Sequence, residues 1–445
     1  MSATAAPASS SNVVAEVIDN GQVSGQQILV IGLCMFFNML DGFDITAMAV
    51  VAGFVSAELQ LAEDRLGLIF SFALAGMMVG AMFLAPVSDL IGRRKVIILS
   101  IALVGITIFF TAYATTLTEF IVLRFISGLG AGAMLASQAT LAAEYSPEKY
   151  RSLSVTLVTS GYPLGAMMTS VVAGFVMPDY GWRGMFLFGG VLTLAMVLVA
   201  IAFIPESLKY LFERRPDDAL ARVNKILRKL RKPTLAELPE VVTESAGESK
   251  GFIDTMMSLL TMQHRRNTII LWIAFFFCFS ALYFLISWVP KLMENSGYSA
   301  EVGRRAFFLM NLGAVLGIYV LGTLSTRWHL SNVVSFFLSA SAVFMVIFAA
   351  APNQLNVLLV VTFLIGFLQQ GGFTGLYAIA AKSYPTEIRT TGIGWAIGLG
   401  RFGAVAGPAI AGFLIASGLG MSGNYYVFAV PMAIGGLLAY FMKTR

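Results

Sequence analysis

Asn38, Asp41 and Asp44 recur every three residues inside an apolar stretch that runs from Ile28 to Val55. That spacing puts all three on one face of a helix. A charge at the centre of a membrane helix costs roughly 2.5–3.5 kcal/mol on insertion scales, so two carboxylates there need a purpose. Out of water a carboxylate favours its protonated form, and a second carboxylate nearby favours it further. Such a pair can take up a proton on one side of a membrane and release it on the other. Asp41 and Asp44 are therefore the candidate proton-coupling residues, and with Asn38 they offer polar contacts to a substrate.

Arg401 is the second feature. It lies in Gly398-Leu-Gly-Arg401-Phe-Gly403, well inside another apolar segment. An intramembrane arginine faces a cavity or a partner, and its planar fork suits a carboxylate. It reads either as the ligand of an anionic substrate or as a resting partner of Asp41 or Asp44. Arg124, in Arg124-Phe-Ile-Ser-Gly128-Leu-Gly-Ala-Gly132, is within helical reach of Asp44 and reads as a relay partner or an anchor, with Glu144 at the end of the same segment. Gln138, Gln369, Gln370, Tyr377 and Trp395 are candidate substrate contacts. Asn311, Tyr162, Tyr283 and Trp288 are weaker ones, because each alone fits ordinary packing.

Composition fixes the setting of these residues. Of 445 residues, 58% are hydrophobic and 12% charged, against about 25% charged in soluble domains. The chain is an integral membrane protein. About 20 apolar residues span a bilayer as a helix, which predicts twelve spans near 26–54, 66–88, 95–115, 118–143, 152–176, 183–204, 267–290, 305–325, 332–350, 355–381, 391–416 and 424–442. Arg93, Arg94 and Lys95, then Lys149 and Arg151, Arg327, Lys382 and Arg389, and Lys443 and Arg445 follow alternate spans. Residues 209–266 hold 12 of the 29 Lys and Arg. Positive charge marks the cytoplasmic side, so both termini are expected inside. Lys291, Arg304 and Arg305 are a local exception.

The expected organisation is a cytoplasmic tail over 1–25, a six-helix bundle over 26–206, a cytoplasmic connection over 207–266, a second bundle over 267–442 and a cytoplasmic end at 443–445. Residues 216–230 have the spacing of an amphipathic helix with a basic face, suited to lie against the inner membrane surface or the helix ends. Asp89, Arg93, Arg151, Arg327, Glu387 and Arg389 would ring the cytoplasmic mouth and exchange ion pairs as a gate. The net charge of +5 follows from this asymmetry and calls for lipid rather than nucleic acid as a partner. Cys34 and Cys278 sit in apolar segments as buried thiols.

An internal repeat supports two halves. Pro147 and Arg151 recur at Pro385 and Arg389, and Gly128 at Gly366, each 238 residues on. Repeated halves with a site at their interface are a common transporter plan. The same offset carries Asp41 to Phe279 and Asp44 to Leu282, so the carboxylates have no twin, which favours a functional role over pairing with an arginine to hold helices together. No Gly-x-x-x-x-Gly-Lys-Ser/Thr loop is present, which excludes an ATP-driven pump. His264 and His329 both sit at loop edges, so no histidine metal site, no cofactor and no enzyme activity are expected.

Asp89-Leu-Ile-Gly92-Arg93-Arg94-Lys95 resembles the loop signature of the major facilitator superfamily. The Arg124 run, Gly161-Tyr-Pro163-Leu-Gly165, Gly181-Trp-Arg183 and Pro205-Glu-Ser207 are similar to its other marks. Ala85 stands where the signature usually has Gly, and the second half keeps only Gly322 and Arg327, with Thr326 at the acidic position. Within the superfamily, Leu40-Asp41-Gly-Phe-Asp44 looks like the mark of the aromatic acid:proton symporters. That resemblance implies an all-α major facilitator fold and uptake of benzoates, hydroxybenzoates or ring-cleavage products such as muconate. It also implies roles for Asp41, Asp44, Arg124, Glu144 and Arg401, and a monomer in the bacterial inner membrane that carries a small aromatic carboxylate with a proton. An importer of aliphatic or sugar acids and a membrane-embedded sensor are the alternatives.

Overall fold

The computed structural model describes residue 18 and residues 23–238, 259–261, 264–351 and 354–442, without the side chains of Thr386, Glu387 and Thr390. The expected N-terminal tail up to residue 17, much of the 207–266 connection, Lys443, Arg445 and the Glu387 side chain lie outside the described residues. Long helices make up nearly all of what is described.

The first half holds α1 (Gly25–Leu59), α2 (Glu63–Val79), α3 (Arg93–Thr111), α4 (Leu117–Glu144) and α5 (Glu148–Phe203). The connection carries α6 (Leu208–Arg214) and α7 (Ala219–Lys229). The second half holds α8 (Arg265–Asn295), α9 (Ala300–Leu324), α10 (Leu330–Ala350), α11 (Leu355–Ser383), α12 (Thr386–Ala416) and α13 (Met421–Tyr440). Ten of the described helices are long and apolar enough to cross a membrane. One of them, the 56-residue α5, contains both spans expected at 152–176 and 183–204. Its backbone breaks at Gly181, where φ is +61°, a region that glycine enters without a Cβ penalty. With α13 this makes twelve spans.

Local sequence starts the helices cleanly. Ser24 and Gln27 form a capping box on α1, and Thr116 and Glu119 form one on α4; each pair satisfies orphan N–H groups that lipid could not. α7 buries Val223, Ile226 and Leu227 in a cluster with Val30, Ile97 and Tyr145 of the first half. Its apolar face is therefore spent on the bundle.

Helix pairing repeats between halves. α1 packs on α5 as α8 packs on α12, and α2 packs on α4 as α9 packs on α11. The repeated glycine explains the second pairing: a Cβ on Gly128 would run into the Ala73 carbonyl oxygen, and one on Gly366 into that of Met310. Between halves, α2 meets α12, α5 meets α9 and α1 meets α8. The end away from the connection is sealed across the halves. There Ser71 donates to the Val405 carbonyl (2.7 Å), Lys291 to Ser56 Oγ (3.3 Å), and the Phe70 ring meets Trp288 edge-on at 5.4 Å.

Candidate functional site

Asp41 and Asp44 lie three residues apart on α1, yet their surroundings differ. Both are fully buried. Arg124 Nη1 on α4 donates to Asp44 Oδ1 (2.7 Å) and to the Asp44 carbonyl (3.2 Å), while the Ser127 hydroxyl donates to Asp44 Oδ2. The same guanidinium donates to Thr111 (3.2 Å) and lies 5.2 Å from the centre of the Phe186 ring. Asp44 is thus a saturated member of a buried network that ties α1 to α3 and α4. Asp41 has nothing comparable: neither of its oxygens meets a hydrogen-bond partner among the described residues.

Asp41 instead lies within electrostatic reach of Arg401 on α12 and of Asp44. Arg401 is 7% exposed, and its Nε has no partner among the described residues. The two therefore face each other across the halves without an ion pair. Room beside Arg401 comes from its own helix. A Cβ on Gly398 or Gly394 would meet nothing within 4 Å, and these positions, three and seven residues before Arg401, share its face. The open face leads from Arg401 toward the end that carries the connection.

Rings from α8 and α11 flank this face. Phe279 and Phe373 have centroids 4.7 Å apart, Tyr377 lies 5.2 Å from Phe275 and 5.5 Å from Phe373, and Phe275 and Phe279 lie against Gly400. Tyr377 is also in electrostatic reach of Arg401. Trp272 and Trp395 sit 6.4 Å apart nearer the connection end. Phe275, Phe279 and Phe373 are buried against one another and form an aromatic wall behind the glycine face. The second half supplies the rings and the cation; the first supplies the unpaired carboxylate.

The other candidates fall into separate places. Asn38 donates to the Val158 carbonyl (2.7 Å) and so pins α1 to α5. Gln138 is fully buried with both amide atoms unpartnered among the described residues, as is Gln369 Nε2; Gln370 is partly buried. Glu144 lies twenty residues from Arg124 along α4 and pairs with Arg93 (3.1 Å), which also reaches Asp89 (3.1 Å). These three gather at the connection end within the first half. Arg151 and Arg389 lie at the same end, and Arg327 is exposed. Asn311 donates to its own helix at Phe307 (2.9 Å), and Trp288 to the Pro408 carbonyl (3.0 Å).

Phe275, Phe279 and Phe373 were not legible among 35 phenylalanines. One signal existed. Phe279 is the repeat position of Asp41, so the place where one half keeps a carboxylate is where the other keeps a ring.

The chain resembles known proteins over nearly its whole length. The family model described as Major Facilitator Superfamily matches residues 31–352 and 271–445. The 4-hydroxybenzoate transporter PcaK of Acinetobacter baylyi is 31% identical over 96% of this chain and 93% of its own length. A gallate transporter of Pseudomonas putida is 29% identical over 94% and 92%. The inward-open xylose transporter XylE of E. coli shares the fold, with a TM-score of 0.73 at 16% identity over 94% of this chain and 96% of that one. The chain belongs to the Major Facilitator Superfamily: it is a membrane transporter with twelve spans in two six-helix bundles, and its sequence groups with the aromatic-acid carriers of that superfamily.

Proposed function

We propose that the protein is a proton-coupled symporter that imports small aromatic carboxylates across the bacterial inner membrane as a monomer, with both termini cytoplasmic. The observation that carries this reading is the unpaired Asp41 facing the unsaturated Arg401 beside a cluster of rings. Names of relatives support the substrate class, since 4-hydroxybenzoate and gallate are both aromatic acids.

Coupling follows from charge. While Asp41 is ionised, its negative charge offsets Arg401 and repels an incoming carboxylate. A proton on Asp41 removes both effects, and the substrate anion takes Arg401. The bundles at 26–206 and 267–442 then rock about the site and expose it to the other side. With the termini inside, the seal formed by Ser71, Lys291 and Trp288 closes the outer end and the glycine face of α12 opens inward. Asp89, Arg93 and Glu144, with Arg151, Arg327, Glu387 and Arg389, form the inner rim whose ion pairs change partners. Gln138, Gln369, Gln370 and Trp395 are the remaining substrate contacts. Asp44 and Arg124 hold the first half in register.

The ring cluster favours an aromatic guest over an aliphatic or sugar acid. In proteoliposomes with an acid exterior, labelled 4-hydroxybenzoate should accumulate inside, and excess benzoate should compete while gluconate should not. Competition by gluconate but not by benzoate would reject the aromatic assignment. Ligand binding with no uptake at all would favour the sensor.

A further inference from the structure

Two tyrosines that the scheme above does not use meet across the halves at its centre. Tyr162 comes from α5 and Tyr283 from α8. Tyr283 stacks on Phe279, with centroids 6.1 Å apart and planes 13° apart, so its ring is held by the aromatic cluster. Tyr162 is held by its backbone: its carbonyl occupies the space a Cβ on Gly42 would need, one residue from Asp41. The two hydroxyls face each other and both lie within electrostatic reach of Asp41 and Arg401. They do not reach ordinary hydrogen-bond geometry, and the buried Tyr162 hydroxyl has no partner among the described residues. A buried hydroxyl without a partner calls for one.

The layout says which part of a substrate supplies it. Phe275 lies two helical turns from Tyr283 toward the connection end of α8, and Tyr377 is six residues from that end of α11. A ring lying on the glycine face of α12 beside Tyr377 therefore points its carboxylate at Arg401 and the tyrosine pair and its far edge away from them. We propose that Tyr162 and Tyr283 are positioning residues that donate their hydroxyls to the substrate's carboxylate beside Arg401. The bound anion is then gripped from both halves at once, adding to the Ser160–Tyr319 hydroxyl contact (3.2 Å) that already joins them two residues from Tyr162. The inference rests on the proposed reading that Arg401 holds an anion.

The test uses Tyr162→Phe and Tyr283→Phe, which keep the rings and their stacking. Uptake kinetics in proteoliposomes are measured for benzoate and for 4-hydroxybenzoate, with calorimetric binding of benzoate to the purified protein as a readout independent of turnover. Each substitution should raise KM and Kd about ten-fold for both acids, as expected for a donor lost from a charged acceptor, with Vmax nearly unchanged. A loss confined to 4-hydroxybenzoate would overturn the proposal, because the pair would then read the ring hydroxyl. Unchanged KM and Kd in both variants, while Arg401→Gln still abolishes uptake, would overturn it and leave the transport reading standing. Wild-type protein that binds neither acid would remove the reading on which it rests.

Discussion

Arg124→Ala should be among the most destabilising single changes in the membrane domain. The side chain is 1% exposed, and its removal strands the Asp44 carboxylate with Ser127 alone. Breaking a buried ion pair by deleting one partner costs about 3–5 kcal/mol, mostly for the charge left behind. Asp44→Asn should be costly for the mirror reason, since it strands the guanidinium. The pair of changes Asp44→Asn with Arg124→Gln should recover most of the loss, because no charge remains and the amides can bond each other, Ser127 and Thr111. Thermal unfolding of the purified variants in detergent checks this. Wild-type stability in Arg124→Ala, together with lost transport, would show that the network belongs to the transport cycle and not to the scaffold.

Arg401→Gln should do the opposite: transport fails and the fold survives. Arg401 has no ion pair among the described residues, and its Nε meets no partner there, so few native bonds are lost. A substrate carboxylate deprived of a buried charged partner loses about 2–5 kcal/mol, at least roughly thirty-fold in affinity. Arg401→Lys keeps the charge but not the fork and should recover part of it. Binding of benzoate and of benzamide to each protein is the discriminating measurement. Equal losses for acid and amide would show that Arg401 does not read the carboxylate.

The twelve spans could be read from the sequence because they rest on long apolar runs. Periodicity also placed Asn38, Asp41 and Asp44 on one face. It could not separate the two aspartates, because that difference lies on other helices. Arg124 and Ser127 of α4 saturate one of them, whereas α12 presents Arg401 to the other from a distance. Asn38 shares their face and gives its amide N–H to the α5 backbone, while its Oδ1 meets no partner among the described residues. Glu144 and Arg124 share a helix, but the helical rise puts them near opposite ends, and only packing with α3 shows that Glu144 belongs to Arg93. The ring cluster was hidden for another reason. Phenylalanine in an apolar segment packs against lipid, helix or ligand with equal ease, and only tertiary structure chooses. The repeat held part of the answer, since Gly128 and Gly366 mark the same close crossing and Phe279 marks the departure from symmetry.

In the proposed coupling Asp41 carries the proton and Asp44 belongs to a fixed pair. The direct measurement is transport by Asp41→Asn protein in proteoliposomes, assayed two ways with labelled 4-hydroxybenzoate. Asparagine mimics the protonated carboxylate and cannot release a proton. Exchange of internal for external substrate, which needs no net proton movement, should persist near the wild-type rate. Accumulation driven by an imposed pH gradient should be lost. Gradient-driven accumulation that survives in Asp41→Asn would contradict the assignment and move the proton to another group.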